Sequence, residues 1–281
     1  MARAIQKLRP EYELSTLLSL ANMSRSTFYY HCRHAEPADR YAAVKEAMRR
    51  IFAENQGWYG HRRLRLALRA EGYRVSAKKV LGLMRELGLR CLVRAKRTRV
   101  YRGEAGLAAP NLLKRDFSAS APNQKWVTDV TEFRIAGEKL YLSPILDLYA
   151  RDVVSYTIAE RPVLSMVTTM VERAAATLPA GAAPILHSDQ GWQYRHPRYQ
   201  RLLQERGLTQ SMSRKGCCLD NAVIENFFGQ LKSELLYTRT FSDMAEFRQA
   251  LEAYLAYYNN RRIKARLRGL PPAAYRAQAL G

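Results

Sequence analysis

A chain of 281 residues with 47% hydrophobic and 25% charged side chains has a globular composition and enough length for a large domain with a smaller one beside it. Its formal net charge of +21 points to a polyanionic partner, nucleic acid ahead of a membrane surface. No run approaches the roughly 18 apolar residues of a membrane span. The four cysteines (Cys32, Cys91, Cys217, Cys218) contain no Cys-x-x-Cys pair, which excludes a zinc ribbon and a disulfide framework and suits a reduced cytoplasm.

The charge is uneven. Residues 1–116 hold 25 Lys+Arg against 10 Asp+Glu, and residues 117–281 hold 21 against 15. Residues 12–34 read as a helix, a break near Asn22 and a second helix capped by Ser24, the pattern of a helix-turn-helix. A helix with Val44, Met48 and Ile51 follows over 38–54. His61–Ala70 reads as a helix ending at Gly72, and Ser76 opens another that runs to Gly88 with Val80, Leu83, Met84 and Leu87 on one stripe. Arg62, Arg63, Arg65, Arg69, Lys78 and Lys79 decorate the outer faces, which favours DNA contact over a bare helical bundle; Arg62, Arg63, Lys78 and Lys79 are the candidates. The segment 90–102 has six basic residues and no acidic one, so Arg94, Lys96, Arg97 and Arg99 are expected along a DNA backbone. The domain layout is therefore a helical region over 1–89, a basic linker over 90–118 and a second domain over 119–281.

From Lys125 the pattern turns to strands. WVTDVTEFRIAG, KLYLSPILDLYA and RDVVSYTIAE read as three consecutive strands, with Asp129 inside the first. A helix over 164–177, a strand ending at Asp189, a helix in HPRYQRLLQERG, a short strand in LTQSMS and a helix bearing Glu225 follow. This succession describes an α/β domain with a mixed sheet flanked by helices. The tail 242–262 reads as a helix with an aromatic stripe (Phe247, Tyr254, Tyr257, Tyr258), expected to pack as a lid.

Asp129 and Asp189 stand in or at the end of apolar strands, where a carboxylate is costly unless a cation neutralises it. Asp189 occupies a strand end, where open α/β sheets place their ligands. Glu132, Asp147, Asp152 and Asp220 are nearby acids, with Asp147 read as structural. Asn221, Glu225 and Lys232, four and seven residues apart, share one helical face. A carboxylate, an amide and an ammonium on that edge suit a divalent metal beside a nucleic-acid backbone.

The segments WVTDVTEF, HSDQGWQY and SMSRKGCCLDNAVIENFFGQLKSELLY resemble the core of insertion-sequence transposases with an Asp-Asp-Glu triad, akin to retroviral integrases. Asp189 and Glu225 are separated by 35 residues, the spacing those proteins share, and Lys232 matches the basic residue typical of the insertion-sequence-three family. WYGHRRLRLALRAEGYRVSAKKVLGLMRELGL is similar to that family's second helix-turn-helix segment and YNNRRIKARLRGLPPAAYR to its C-terminal signature. The likeness covers nearly the whole chain and is greatest to the second-reading-frame protein (OrfB). Cys217, where the family usually has Asn, and Trp192, where it often has a small residue, are departures.

The resemblance implies a ribonuclease H-like catalytic domain behind helical DNA-binding elements. It implies that Asp129, Asp189 and Glu225 hold two Mg2+ ions, with Mn2+ able to substitute, for cleavage at element ends and transfer of the 3′-OH into DNA. Lys232 and Asn221 would then lie beside the scissile phosphate. The expected partners are double-stranded DNA (terminal inverted repeats and target), further copies of the chain on that DNA, and the first-reading-frame protein, fused or separate. The expected location is the cytoplasm, on the nucleoid. A tyrosine recombinase is excluded because His196-Pro-Arg198-Tyr199 has the wrong spacing for its box. A DNA-binding regulator that needs a fusion partner stays open, explaining the charge but not the triad. A ribonuclease H-like repair nuclease shares the metal chemistry but not the helical N-terminus or the C-terminal signature.

Overall fold

A computed structural model describes every residue except 34–38, 94–108, 215–216 and 281. The chain forms two compact units, residues 1–50 and 51–281. The helices at 61–70 and 77–86, grouped by their sequence with the N-terminal region, belong to the second unit.

In the first unit, α1 (Ala2–Leu8), α2 (Leu14–Leu20) and α3 (Arg25–Arg33) bury Ile5, Leu14, Leu17, Leu18 and Phe28 together. Asn22 takes the left-handed conformation (φ 46°) that ends α2, a posture its short polar side chain tolerates. The Ser24 hydroxyl then accepts the Thr27 N–H at 3.1 Å, an N-cap worth about 1 kcal/mol. The helix, break and capped helix read from the sequence are all present. α4 (Ala42–Glu54) runs across the division between the units.

The second unit begins with α5 (His61–Ala70) and α6 (Ala77–Glu86), which bury Leu64, Leu68, Val80, Leu83 and Met84. Ser76 caps α6 by accepting the Lys79 N–H at 3.2 Å. The sheet follows: β1 (Lys125–Thr128), β2 (Thr131–Ile135), β3 (Glu138–Asp147), β4 (Val153–Ala159), β5 (Ile185–Ser188) and β6 (Thr209–Met212). Its helices are α7 (Leu164–Ala175), α8 (Trp192–Arg195), α9 (Pro197–Glu205), α10 (Ala222–Leu231), α11 (Met244–Asn260) and α12 (Pro272–Leu280). A single π-turn, Lys232–Leu236, extends α10.

The first strand is interrupted at Asp129 rather than running through it. Trp126 pairs with Asp147 and Thr131 with Leu142, so β1 and β2 lie on the same edge of β3 in one unbroken register, which sets Asp129 opposite Pro144. The Pro144 carbonyl faces β1, where it accepts the Thr128 hydroxyl at 2.9 Å. Its nitrogen has no hydrogen to donate beside it, and the ladder fails at that point.

β3 also pairs with β4, and β1 continues into parallel β5 and β6, so the sheet changes from antiparallel to parallel at β1. Alternation sorts its faces. Trp126, Ile145 and Leu186 pack with Val167, Met170 and Val171 of α7 and with Tyr199, Leu202 and Leu203 of α9. Val127, Leu142 and Leu146 pack with Ile224, Phe227 and Leu231 of α10 and with Leu251, Tyr254 and Tyr258 of α11. The mixed sheet flanked by helices expected from the sequence is thus present, as a three-layer sandwich. α11 is a core layer rather than a lid. The Phe247 ring lies 5.0 Å from Phe133, and Tyr258 lies 4.8 Å from Phe227.

Candidate active site

Two acids leave the sheet side by side. β1 and β5 are parallel with Trp126 opposite Leu186 and Val127 opposite His187. One more step in that register reaches the ends of both strands, and the next sets Asp129 beside Asp189. Neighbouring strands lie about 4.8 Å apart, so two half-buried carboxylates share the C-terminal edge of the sheet. The Asp129 Oδ1 accepts the Val130 N–H at 2.7 Å, and the Asp189 Oδ1 accepts the Gly191 N–H at 2.8 Å. Gly191 has no room for a side chain, because a Cβ there would stand 3.0 Å from that Oδ1 and 3.2 Å from Tyr194.

α10 brings the third acid. Glu225 lies in its first turn, exposed to solvent, and Asn221 one turn earlier is buried with neither amide atom hydrogen-bonded. Lys232 sits where α10 passes into the π-turn, its ammonium 5.5 Å from the centre of the Phe133 ring. A π-turn is uncommon and recurs at functional sites.

The electrostatics join these groups. Burial pushes the Asp129 carboxyl well up, the charges of Asp189 and Glu225 push it further, and Lys232 opposes them. Burial raises Asp189 too, against the Gly191 N–H and the charge of Arg195. Glu225 is raised by burial and by Asp189. Lys232 is lowered by burial and held up by Glu132 and Asp129. Burial and mutual repulsion thus make it costlier for these carboxyls to ionise, a cost that further positive charge would offset.

The neighbouring acids are satisfied in a different way. Glu132 pairs with Arg134 at 2.6 Å, and Asp147 and Asp152 pair with Arg276 at 2.8 and 3.2 Å. Asp220 pairs with Arg115 and Arg214 at 2.7 and 2.8 Å. Asp147, read as structural, also receives the N–H groups of Asn123 and Tyr149. Among the described residues, Asp129, Asp189 and Glu225 have no ion-pair partner.

Among the described residues no three His, Cys, Asp or Glu side chains are gathered tightly enough to hold a metal ion as they stand. The chemistry of the donors fits one nonetheless. Hard carboxylate oxygens, uncompensated negative charge and a buried orphaned amide suit a small divalent cation that takes its remaining ligands from water and phosphate.

Sequence reasoning missed three groups here. Tyr194 is buried beside Thr128 and feels both aspartates, and its hydroxyl has no hydrogen bond of good geometry. Arg195, whose charge acts on Asp189, has buried Nε and Nη1 atoms without partners. Both fall within the HSDQGWQYR segment, so closeness to Asp189 was the available signal. His187, fully buried, joins β5 to β6 and to the turn before α10. Its Nε2 lies 3.0 Å from the Asp220 carbonyl, which makes that nitrogen the donor, and its Nδ1 accepts from the Ser211 hydroxyl at 2.8 Å.

The expected DNA contacts divide. Arg62, Lys78 and Lys79 are exposed at the starts of α5 and α6. Arg63 is engaged internally, donating to Glu234 at 3.1 Å. Asn221 is buried and Lys232 half-buried beside the acids. Arg94, Lys96, Arg97 and Arg99 lie outside the described residues.

Residues 119–218 and 225–280 match family models described as the integrase core domain, and residues 39–97 match one described as an HTH-like domain. The chain is 51% identical over 276 residues to the putative transposase InsK of insertion sequence element IS150 from Escherichia coli K12, covering 98% of each. It is 31% identical over 277 residues to the transposase InsF of insertion sequence IS3A from the same organism, covering 96% of each. A solved structure of the HTLV-2 integrase catalytic core domain in complex with magnesium is similar at 17% identity and a TM-score of 0.46, over 57% of this chain and 99% of that one. Among the described residues no helix is long and apolar enough to cross a membrane. The chain belongs to the insertion-sequence-three family of transposases, proteins of DNA transposition that carry an HTH-like domain ahead of an integrase core.

Proposed function

We propose that Asp129, Asp189 and Glu225 hold two divalent cations, Mg2+ with Mn2+ as a substitute, for cleavage at element ends and joining of the freed 3′-OH to target DNA. One observation carries this reading. The four neighbouring acids are ion-paired to arginines, Asp147 and Asp152 sharing Arg276, whereas Asp129, Asp189 and Glu225 act on one another electrostatically and make no ion pair among the described residues. The ions, when bound, supply a lowered pKa for the attacking hydroxyl and neutralisation of charge on the leaving 3′ oxygen.

The chain's own groups do the positioning. Asp129 and Asp189 are presented by paired strands, and the Gly191 N–H fixes one oxygen of Asp189 while the other stays available. Asn221 offers an unpaired amide one turn from Glu225, suited to a phosphate oxygen or a water. Lys232 brings positive charge to the same place for a DNA phosphate. No protein nucleophile is required, since the 3′-OH released by cleavage attacks in the joining step. Arg62, Lys78 and Lys79 contact the backbone of the terminal inverted repeats. The protein works as an oligomer on DNA, with the first-reading-frame protein fused or beside it.

The test uses the purified chain, alone and fused to the first-reading-frame protein, with labelled element-end DNA and Mg2+. Cleavage by the wild type and a loss of at least about a thousandfold in Asp129→Ala and Glu225→Gln are expected, as for removal of a group acting in the transition state. Equal nicking by wild type and variants overturns the catalytic assignment. DNA binding with no cleavage in either wild-type form would favour a regulator.

A further inference from the structure

α10 lines a second site with side chains other than Glu225. Asn226, Phe227 and Gln230 form one wall of a cavity of about 450 Å³, closed by α5, the β3–β4 turn and the segment after α11. Six basic side chains line it, among them Arg62, Arg151, Lys264 and Arg266. Among the described residues none of the four is ion-paired. Arg63 and Arg262, also on the wall, share the carboxylate of Glu234 and so carry one positive charge more than it cancels.

Arg151 shows that the cavity is built rather than incidental. Its backbone is left-handed (φ 59°), which a long side chain rarely adopts. Its carbonyl accepts the Tyr258 hydroxyl at 2.9 Å and the Lys264 ammonium at 3.0 Å, which holds that posture. The guanidinium reaches the Phe117 carbonyl at 3.4 Å, while its buried Nε has no partner. Burial, then the charges of Arg262 and Arg151, pushes the Lys264 ammonium down to about 6. The wall therefore carries more guanidinium charge than Glu234 offsets.

We infer that this cavity binds a phosphate group of the DNA backbone, at a position separate from the three acids. The guanidinium forks of Arg62, Arg151 and Arg266 match the several oxygens of a phosphate. The duplex on which a transposase acts supplies that group in abundance, so the inference rests on the family assignment. A phosphate held on this flank of α10 would anchor the duplex against the same helix that carries Glu225.

The experiment uses the full chain, an element-end duplex and a salt titration of binding, with Arg62→Ala, Arg266→Ala and the double variant. Both side chains are exposed and make no hydrogen bond among the described residues, so the variants are expected to fold, as circular dichroism would verify. The slope of log affinity against log salt should fall by about 0.9 for each lost phosphate contact. Inorganic phosphate should raise the melting temperature of the wild type, and do so less in Arg266→Ala and Arg151→Gln. Unchanged slopes and unchanged phosphate response overturn the site. Phosphate stabilisation with unchanged DNA slopes overturns the DNA assignment in favour of a free phosphate. A wild type that binds no duplex at all overturns the DNA-binding reading along with it, whereas duplex binding whose salt slope is the same in the wild type and in the Arg62→Ala/Arg266→Ala double variant overturns the role of the cavity alone.

Discussion

Asp129 and Asp189 leave adjacent parallel strands at the same register, one beyond β1 and the other beyond β5. Burial raises the cost of ionising both, the charge of Asp189 adds to it at Asp129, and the protein provides neither with an ion-pair partner among the described residues. Folding therefore stores an electrostatic penalty at one edge of the sheet.

Removing one of the two charges should stabilise the metal-free protein. Asp189→Asn is expected to gain about 1 kcal/mol in unfolding free energy with EDTA present, the scale of a like-charge pair near a protein surface. Urea denaturation measures it. A loss of stability on neutralising Asp189 would show that the pair is not under strain.

Gly191 keeps Asp189 in place by having no side chain. Gly191→Ala would put a methyl group 3.0 Å from the Asp189 Oδ1, which must then move by a few tenths of an ångström. A loss of about tenfold in cleavage is expected with little change in melting temperature, since sub-ångström misplacement of a reacting group is costly. Wild-type cleavage by this variant would mean that the orientation of Asp189 is not limiting.

Glu234 lies at the centre of a buried network. It receives Arg262 at 2.6 and 2.8 Å, Arg63 at 3.1 Å and the Tyr254 hydroxyl at 2.9 Å, tying α5 to the π-turn and to the end of α11. Glu234→Ala leaves two buried or half-buried guanidinium groups uncompensated and should cost about 3–5 kcal/mol. Urea unfolding followed by tryptophan fluorescence checks this, and a cost under 1 kcal/mol would contradict it.

The same contacts set the response to acid. Arg214 holds Asp220 well below its usual range, and Arg262 holds Glu234 low against the effect of burial. Both groups bind fewer protons folded than unfolded, so their contribution is present above the ordinary carboxylate range and is lost as pH falls through it. Asp152, pushed up to about 6 by burial, has the opposite sign and gains stability as pH falls from 6 toward 4. Urea midpoints should therefore rise from pH 6 to 4.5 and drop below 4. Arg214→Ala should lessen that drop; an identical acid limb would show that Asp220 does not contribute.

The sequence made the local features legible, because helix caps and apolar stripes are written within a few residues. Ser24 and Ser76 cap where expected, and Val80, Leu83 and Met84 are buried as their spacing requires. The acids stood out through strand-end placement and helical phase, and the structure brings them into electrostatic contact. What stayed hidden depends on pairing between distant segments. The interruption at Asp129 follows from Pro144 lying across the ladder. Arg63 is engaged by Glu234, 171 positions away. The Arg151 cavity needs α5, the β3–β4 turn and the tail together. The aromatic stripe of α11 looked like a lid because periodicity reports an apolar face but not which layer covers it.

Cation binding by Asp129, Asp189 and Glu225 can be measured on its own, apart from cleavage. Mn2+ titration of the full chain with element-end DNA, followed by electron paramagnetic resonance, tests it most directly. Two bound ions are expected in the wild type, and loss of both in Asp129→Asn/Asp189→Asn with DNA binding retained. Equal Mn2+ occupancy in the wild type and the double variant would contradict it.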